Sequence, residues 1–517
     1  MALAGPPPAA GEAGAPGRGL SHSTLSGLFW TFLGTGTQGV LQLGVLIVLA
    51  RLLTPADFGL VSAAMVVIGF SQIFSQLGVG PAIVQHPGLQ PRHLRAGFTL
   101  SLLFGAAMTG LVGLGSGLVA DFFRIPGLAP VTRLLSVVFV LQGAGVVAES
   151  LLLKELRFRR LASVEVAAFG LGFGVVGIGM ALAGFGVWSL AGAHLCQSLV
   201  KTSGLLLLQP HPMAPSLERA ACRDLLWFGG GFTAARIGNY FGVQGDQMVV
   251  GRFLGAEALG IYGRAYQLMA SPAMFLGQIL DRVLFPAMAK VQDRTEDLLA
   301  AYRRGVALIA LVMLPASAAL VVLAPEVVRV LLGPGWEAAV TPFRILALGM
   351  LFRTSYKMSD SLARATGAVY RRAWRQWIYA GLVIGGAAAG SAWGVEGVTL
   401  CVLAAIGGNF LIMAQLSLSL ARMTWREFAA AHAPALLAAA LMGGLAWGSA
   451  GALRGADLPA AAVLAGTLAA LCLFAALLVR YLPDRVLGSE GIWMLRRLAS
   501  QAPVGGAALR WLARGSG

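Results

Sequence analysis

Charge is scarce in this chain. Of its 517 residues, 12% are Asp, Glu, Lys or Arg and 57% are hydrophobic, with a mean hydropathy of +0.77. Soluble domains carry about 25% charged residues, so a water-soluble globular domain is excluded. Cysteine is sparse too. Cys196, Cys401 and Cys472 fall in apolar runs and Cys222 in a loop, so no disulfide framework is expected. The six histidines are scattered without HExxH or other ligand spacing, which argues against a metal site. No GxxxxGK[ST] sequence occurs, so nucleotide hydrolysis by a P-loop is not expected. A GxGxxG pattern, Gly172-Gly174-Gly177, does occur, but inside an apolar run with no polar helix after it. Small residues there serve close helix packing. No cofactor is therefore expected. The segments between apolar runs reach only about 20 residues, leaving little room for a catalytic domain with a carboxylate pair.

What is abundant is apolar sequence in runs of membrane length. The pattern predicts an all-α polytopic membrane protein with about fourteen transmembrane helices of near 20 residues each. The first is expected over Leu28–Ala50, the fourth over Val131–Leu153 and the sixth over Val187–Leu208. The seventh and eighth are expected near Leu225–Val250 and Tyr262–Phe285, the tenth over Thr341–Ala365 and the last over Ala460–Tyr481. The net charge of +16 is topological rather than a sign of nucleic-acid binding. Loops after even-numbered spans hold Arg92 and Arg95, then Lys154, Arg157, Arg159 and Arg160, then Arg371, Arg372 and Arg375, whereas loops after odd-numbered spans are nearly free of Lys and Arg. By the positive-inside rule the even loops and both termini lie in the cytoplasm. Residues 1–24, rich in Ala, Pro and Gly, read as a disordered tail and not a secretory signal. Residues 483–517 read as an Arg-rich amphipathic tail on the inner leaflet.

Two segments resemble each other. RLLTPADFGLVSAA from Arg51 and RFLGAEALGIYGRA from Arg252 align Arg51 with Arg252, Leu53 with Leu254, Gly59 with Gly260 and Ala64 with Ala265, all at an offset of 201 residues. Six spans separate the copies, so both point the same way across the membrane. This predicts two parallel six-helix lobes related by an axis along the membrane normal, with a cavity between them and access by rocking. The expected divisions are an N-lobe over 25–210 (spans one to six), a C-lobe over 211–425 (spans seven to twelve) and two further spans over 426–482.

The stretch ARLLTPADFGLVSAAMVVIGFSQIFSQLGVGPAIVQ (50–85) resembles the opening of bacterial Wzx-type polysaccharide flippases of the multidrug/oligosaccharidyl-lipid/polysaccharide (MOP) exporter superfamily. GDQMVVGRFLGAEALGIYGRAYQL (245–268) and LLLKELRFRR (151–160) resemble the start of that family's second lobe and its fourth-to-fifth-span loop. The resemblance extends over roughly the first 420 residues and is to the exopolysaccharide branch. It implies a V-shaped fold in the bacterial inner membrane. It also implies a substrate, an undecaprenyl-pyrophosphate-linked oligosaccharide turned from the inner to the outer leaflet, with a polysaccharide polymerase and export machinery as further partners. It implies transport rather than an enzyme.

Within the tenth span, Arg353, Lys357, Asp360 and Arg364 recur every three or four residues and share one helical face. Charge inside a bilayer is costly and faces a protein interior or a water-filled cavity. Arg offers a planar donor fork for phosphate and Lys a point charge, so Arg353 and Lys357 are candidate pyrophosphate ligands. Asp360 and Arg364 complete the strip, and Arg236 contributes from the seventh span. The competing reading is that these charges pair with other helices and hold the bundle together. Asp246 is a candidate for ion coupling, against a structural Asp near the outer interface. Glu149 is expected to pair with Arg157 or Lys154. A cation-coupled multidrug exporter of the same superfamily is the alternative function, and the cationic strip argues against its substrates.

Overall fold

The computed structural model describes residues 36–76, 78–290, 294–481 and residue 492. The tail expected over 1–24, the start of the first span, and the tail expected over 483–517 apart from residue 492 lie outside the described residues. Among the described residues there are helices and turns and no strand.

The first half runs through α1 (Gly36–Leu52), α2 (Pro55–Gln76), the short α3 (Val79–Gln85), α4 (Pro91–Leu114), α5 (Ser116–Phe123), α6 (Leu128–Ser136) and α7 (Val138–Lys154). Then follow α8 (Phe158–Phe169), a π-helical stretch over Gly170–Gly177, α9 (Ile178–Leu182) and α10 (Val187–Leu208). The second half opens with α11 (Arg219–Lys290), a helix pair broken at Gly255. It continues through α12 (Thr295–Val322), α13 (Ala324–Leu331), α14 (Val340–Ala347), α15 (Met350–Ala365), α16 (Val369–Gly390) and α17 (Gly394–Ala421). The last two helices, α18 (Trp425–Gly455) and α19 (Ala460–Tyr481), pack with α12 and α13, and Ala319, Ala446 and Leu471 share a core there.

Local chemistry explains the boundaries. Pro91 sits at the first turn of α4, where its missing N–H costs nothing. Thr424 caps α18 reciprocally with Glu427: Thr424 Oγ1 accepts from the Glu427 N–H at 3.3 Å, and Glu427 Oε2 accepts from the Thr424 N–H at 2.8 Å. Gly255 breaks α11 at φ 86°, in the left-handed region that a residue with Cβ rarely enters.

Eight segments among the described residues are long and apolar enough by themselves to cross a membrane. The helices outside that group are informative. They include α1, α10, α11 and α15, which carry Gln38 and Gln42, His194 and Lys201, Gln244 and Arg264, and Arg353. These polar side chains mark where the interior is polar.

The two repeat segments meet. The start of α2 crosses the part of α11 that follows Gly255. A Cβ on Gly59 would lie 1.7 Å from the Ala256 carbonyl oxygen, and one on Gly260 would lie 1.8 Å from that of Pro55. Ala256 and Pro55 are themselves 201 residues apart, so the contact is reciprocal, as a two-fold relation between the copies requires. Around it the Trp336 indole Nε1–H donates to the Ala50 carbonyl at 2.8 Å, and Arg51 Nη2 donates to the Val330 carbonyl at 3.0 Å. Trp336 is fully buried and packs edge-on against Phe58, with ring centroids 5.5 Å apart.

The GxGxxG segment is a packing device. A Cβ on Gly172 would lie 2.8 Å from the Ala193 carbonyl oxygen, and one on Gly177 would lie 3.0 Å from Ala193 Cβ. The π-helical stretch therefore lies directly against α10.

Candidate functional site

Beside the crossing, α1, α2, the end of α8 and the π-helical stretch, α10, α11 and α15 line two adjoining cavities of about 420 and 450 Å³. Both are lined by Gln42, Gln244, Gln247, Arg264 and Gln267. The first adds His194 and Gln197, and the second adds Gln38 and Arg353. Among the described residues the lining holds two guanidinium groups, six glutamines and no carboxylate. Each glutamine amide offers both donors and an acceptor, so the walls suit a ligand rich in hydroxyl groups with an anionic part.

Arg264 is the residue that sequence reasoning passed over. It projects from α11 into both cavities, with its guanidinium carbon 4.8 Å from the Phe58 ring centroid and its Nε without a hydrogen-bond partner. Arg353 lines the second cavity from α15. Its guanidinium carbon stands 4.8 Å from the Tyr266 ring centroid, and it shares a hydrogen bond with Tyr379. Asp246 lies behind it, 2% exposed, accepting from the Tyr262 hydroxyl at 2.6 Å and the Gln247 backbone N–H at 2.8 Å. Asp246 and Arg353 are within electrostatic reach of each other. The structure thus brings two sequence candidates together, and Arg353 both faces the cavity and balances a buried carboxylate.

The rest of the cationic strip diverges. Asp360 pairs with Arg364 at 3.2 Å on its own helix and with Arg372 Nε on α16. Lys357 is partly buried and is not among the residues lining these cavities. The side chain of Arg236 lies outside the described residues.

A third cavity of about 340 Å³ adjoins the first through Met65, His194 and Gln197 and extends into the first half of the chain. Glu149 lines it. Its partner is Lys201 on α10, 3.0 Å away, and not Arg157 or Lys154 as the sequence suggested. Lys154 Nζ instead donates to the carbonyls of Ile83, at 3.2 Å, and His86, and Arg157 pairs with Glu155 at 2.8 Å.

His86, His93 and Asp224 also converge, with their ring nitrogens and carboxylate within 4.8 Å of one another. His93 Nδ1 accepts from the Gln90 backbone N–H at 3.1 Å. The neutral ring then carries its proton on Nε2, which makes that atom a donor and unfit as a metal ligand.

A family model described as polysaccharide biosynthesis protein matches residues 48–341, more than half of the chain. The chain belongs to this family. Among curated relatives it is 29% identical to the lipopolysaccharide biosynthesis protein WzxC of Escherichia coli (strain K12) over 68% of this chain and 71% of that one. It is 27% identical to the teichuronic acid biosynthesis protein TuaB of Bacillus subtilis (strain 168), over 67% and 72%. To the succinoglycan biosynthesis transport protein ExoT of Rhizobium meliloti (strain 1021) it is 30% identical, over 62% and 64%. Among solved structures, the lipid II flippase MurJ in an inward closed conformation superposes with a TM-score of 0.68 at 11% identity, covering 87% of this chain and 98% of MurJ. An inward-facing multidrug resistance MATE family transporter of the MOP superfamily superposes with a TM-score of 0.61 at 17% identity, covering 75% of this chain and 96% of that one. The fold is therefore the MOP-type helical fold, and this family member is a multi-pass membrane protein.

Proposed function

We propose that this protein is a flippase that turns a lipid-linked oligosaccharide, carried on undecaprenyl pyrophosphate, from the inner to the outer leaflet of the bacterial inner membrane by alternating access. The observation that carries the reading is the lining of the cavities between the two halves: among the described residues, Arg264 and Arg353 with six glutamines and no carboxylate. An anionic diphosphate matches the guanidinium forks, and sugar hydroxyls match the amides. A transporter of organic cations would need the opposite charge, so the multidrug reading is set aside. The family relatives named for lipopolysaccharide and succinoglycan biosynthesis support the same substrate class.

In this reading the halves divide near 210, the Arg-rich loops and both termini lie in the cytoplasm, and the polymerase and export machinery take the product outside. Lys357 of α15 and Arg236 of α11 are proposed as further cationic ligands for the headgroup. The protein acts on no covalent bond. It lowers the barrier to moving a charged headgroup across hydrocarbon by replacing water with guanidinium and amide groups.

The test is transport of undecaprenyl-pyrophosphate oligosaccharide by the purified chain in proteoliposomes. A charge-assisted hydrogen bond is worth about 1.5–3 kcal/mol, so Arg264→Ala should weaken ligand binding by about 10- to 100-fold. Arg264→Lys should recover part of the loss by keeping the charge without the fork. Full transport by Arg264→Ala, with normal protein level, would refute the assignment.

A further inference from the structure

The third cavity differs from the other two in its chemistry. Among the described residues its lining holds no arginine. Its charged groups, Glu149 of α7 and Lys201 of α10, face each other at 3.0 Å. Glu165 of α8, which does not line the cavity, stands 3.6 Å from the same ammonium. Lys201 is therefore already matched by two carboxylates and offers no net positive charge to an anion. An anionic ligand placed here would meet like charge, which is costly.

The rest of the polar wall is neutral and incompletely paired. Gln72 Nε2 of α2 donates to Gln142 Oε1 of α7 at 2.9 Å. Among the described residues the Gln72 amide oxygen and the Gln142 amide nitrogen have no hydrogen-bond partner, nor do the Gln197 amide and the Ser198 hydroxyl. Unpaired amides and hydroxyls are costly in an apolar interior. Thr202 gives its hydroxyl proton to the Leu141 carbonyl at 2.8 Å, so its oxygen can only accept from the cavity. Donors from Gln142 and Lys201 thus stand beside acceptors from Gln72, Thr202 and Glu149. A phosphate only accepts and an ammonium only donates, so neither uses the whole wall. A sugar hydroxyl does both. The volume of about 340 Å³ is near the low end for small-molecule pockets and suits one ring rather than a whole repeat unit. The cavity adjoins the first through Met65, His194 and Gln197, and the first holds Arg264. A ligand whose diphosphate meets Arg264 carries its first sugar beside this wall.

We propose that the third cavity is the subsite for the sugar residue bonded to the diphosphate, and that it selects an uncharged sugar over a uronic acid. The inference rests on the headgroup assignment above for the ligand it names. Gln72 and Gln142 bind hydroxyls through the amide ends they do not spend on each other. Glu149 and Lys201 bind further hydroxyls and exclude a sugar carboxylate. The halves then divide the headgroup: guanidinium groups of the second take the diphosphate, and amides of the first read the sugar.

The experiment measures binding of three lipids to the purified full chain in detergent by native mass spectrometry. They are undecaprenyl pyrophosphate, the same lipid bearing one glucose, and the same lipid bearing one glucuronic acid. The glucose lipid should bind about 5- to 150-fold tighter than the bare lipid, the worth of two neutral hydrogen bonds. The glucuronic acid lipid should lose that gain. The main variant combines Gln72→Leu with Gln142→Leu, which removes both partners of the amide pair and strands neither. It should run as a normal monodisperse peak, bind the bare lipid as the wild type does, and lose the gain from glucose. Ser198→Ala, a milder change on the same wall, should lose part of it. Equal wild-type affinity for the bare and glucose lipids would overturn the proposal. So would an undiminished gain in either variant, or glucuronic acid binding as tightly as glucose. If Arg264→Ala leaves binding of the bare lipid unchanged, the headgroup assignment fails instead. The cavity is then judged alone by saturation-transfer NMR with methyl glucoside. The wild type should give a signal that the double variant loses and that methyl glucuronide does not give; no signal, or an unchanged one in the variant, sinks the inference.

Discussion

Replacing Gly59 or Gly260 by Ala should hold the two halves apart at the end where the repeats cross. The perturbation is one methyl group. At Gly59 it would lie 1.7 Å from the Ala256 carbonyl oxygen, and at Gly260 1.8 Å from that of Pro55. Both obstacles are backbone, with no rotamer to move aside, so the helices must part by about 1.7 Å to reach ordinary contact. Overpacking of this kind costs about 1–3 kcal/mol. Here the strain falls on the closed arrangement alone, because separating the helices relieves it. A bias of 1–3 kcal/mol changes the ratio of open to closed forms by about 5- to 150-fold.

Access to the cavity reads out that ratio. In a cysteine-free background, a cysteine at Ser62, which lines the first cavity, is reacted with a membrane-impermeant maleimide from the side opposite the Arg-rich loops. Gly59→Ala should raise the labelling rate several-fold and lower transport, since closure is part of the cycle. Gly143 provides the control. A Cβ there would lie 2.5 Å from the Ser101 carbonyl oxygen, but α4 and α7 both belong to the first half. Gly143→Ala should therefore reduce folded yield without changing access. Unchanged labelling in both Gly59→Ala and Gly260→Ala, at normal protein level, would refute the view that this crossing closes the cavity.

Other outcomes follow from the same geometry. Arg353→Ala removes both a cavity cation and the neighbour of buried Asp246, so it should lower protein level as well as export. Adding Asp246→Asn should restore level but not export, and full rescue of export by the double variant would make Arg353 purely structural. Glu326→Gln breaks a forked pair in which Arg454 Nε and Nη2 reach the carboxylate at 2.8 and 2.7 Å, tying α18 to α13. It should cost about 1–3 kcal/mol in a thermal-stability assay. Burial opposes ionisation of Glu326, but the hydrogen bonds from Arg454 outweigh it and hold its carboxyl below the usual range. The pair's contribution should persist at neutral pH and fade only as pH drops below the usual carboxylate range into that lowered one. Finally, a cysteine at Arg159 should react with impermeant reagent only from the cytoplasmic side; labelling from outside intact cells would overturn the orientation.

The scaffold was legible because its determinants are local or periodic. The apolar runs predict Val187–Leu208 and Ala460–Tyr481, and helices occupy those same residues. The charged interior was less legible because its partners come from other helices. Helical spacing places Arg353, Lys357, Asp360 and Arg364 on one stripe, but that stripe is about 16 Å long and its ends meet different surroundings. Arg353 reaches the cavity while Asp360 is taken by Arg372 of the next helix. Likewise Glu149 passes over nearby basic residues for Lys201, 52 positions away and three helices on.

The repeat holds a signal for Arg264. At the offset that aligns Gly59 with Gly260, Arg264 stands opposite Ala63, Tyr266 opposite Met65, and Asp246 opposite Val45. The glycines of the crossing are kept in both copies, whereas Ala63 and Met65 of the first copy stand opposite Arg264 and Tyr266, which line the cavity from the second. Symmetry serves the rocking of one half against the other, which needs equivalent backbones. Binding an anion needs guanidinium groups only where the anion sits, and duplicating them opposite would oppose like charges across the closed cavity. In the proposed reading the departures from the repeat supply the guanidinium of Arg264 from the second half, facing Gln38 and Gln42 of the first.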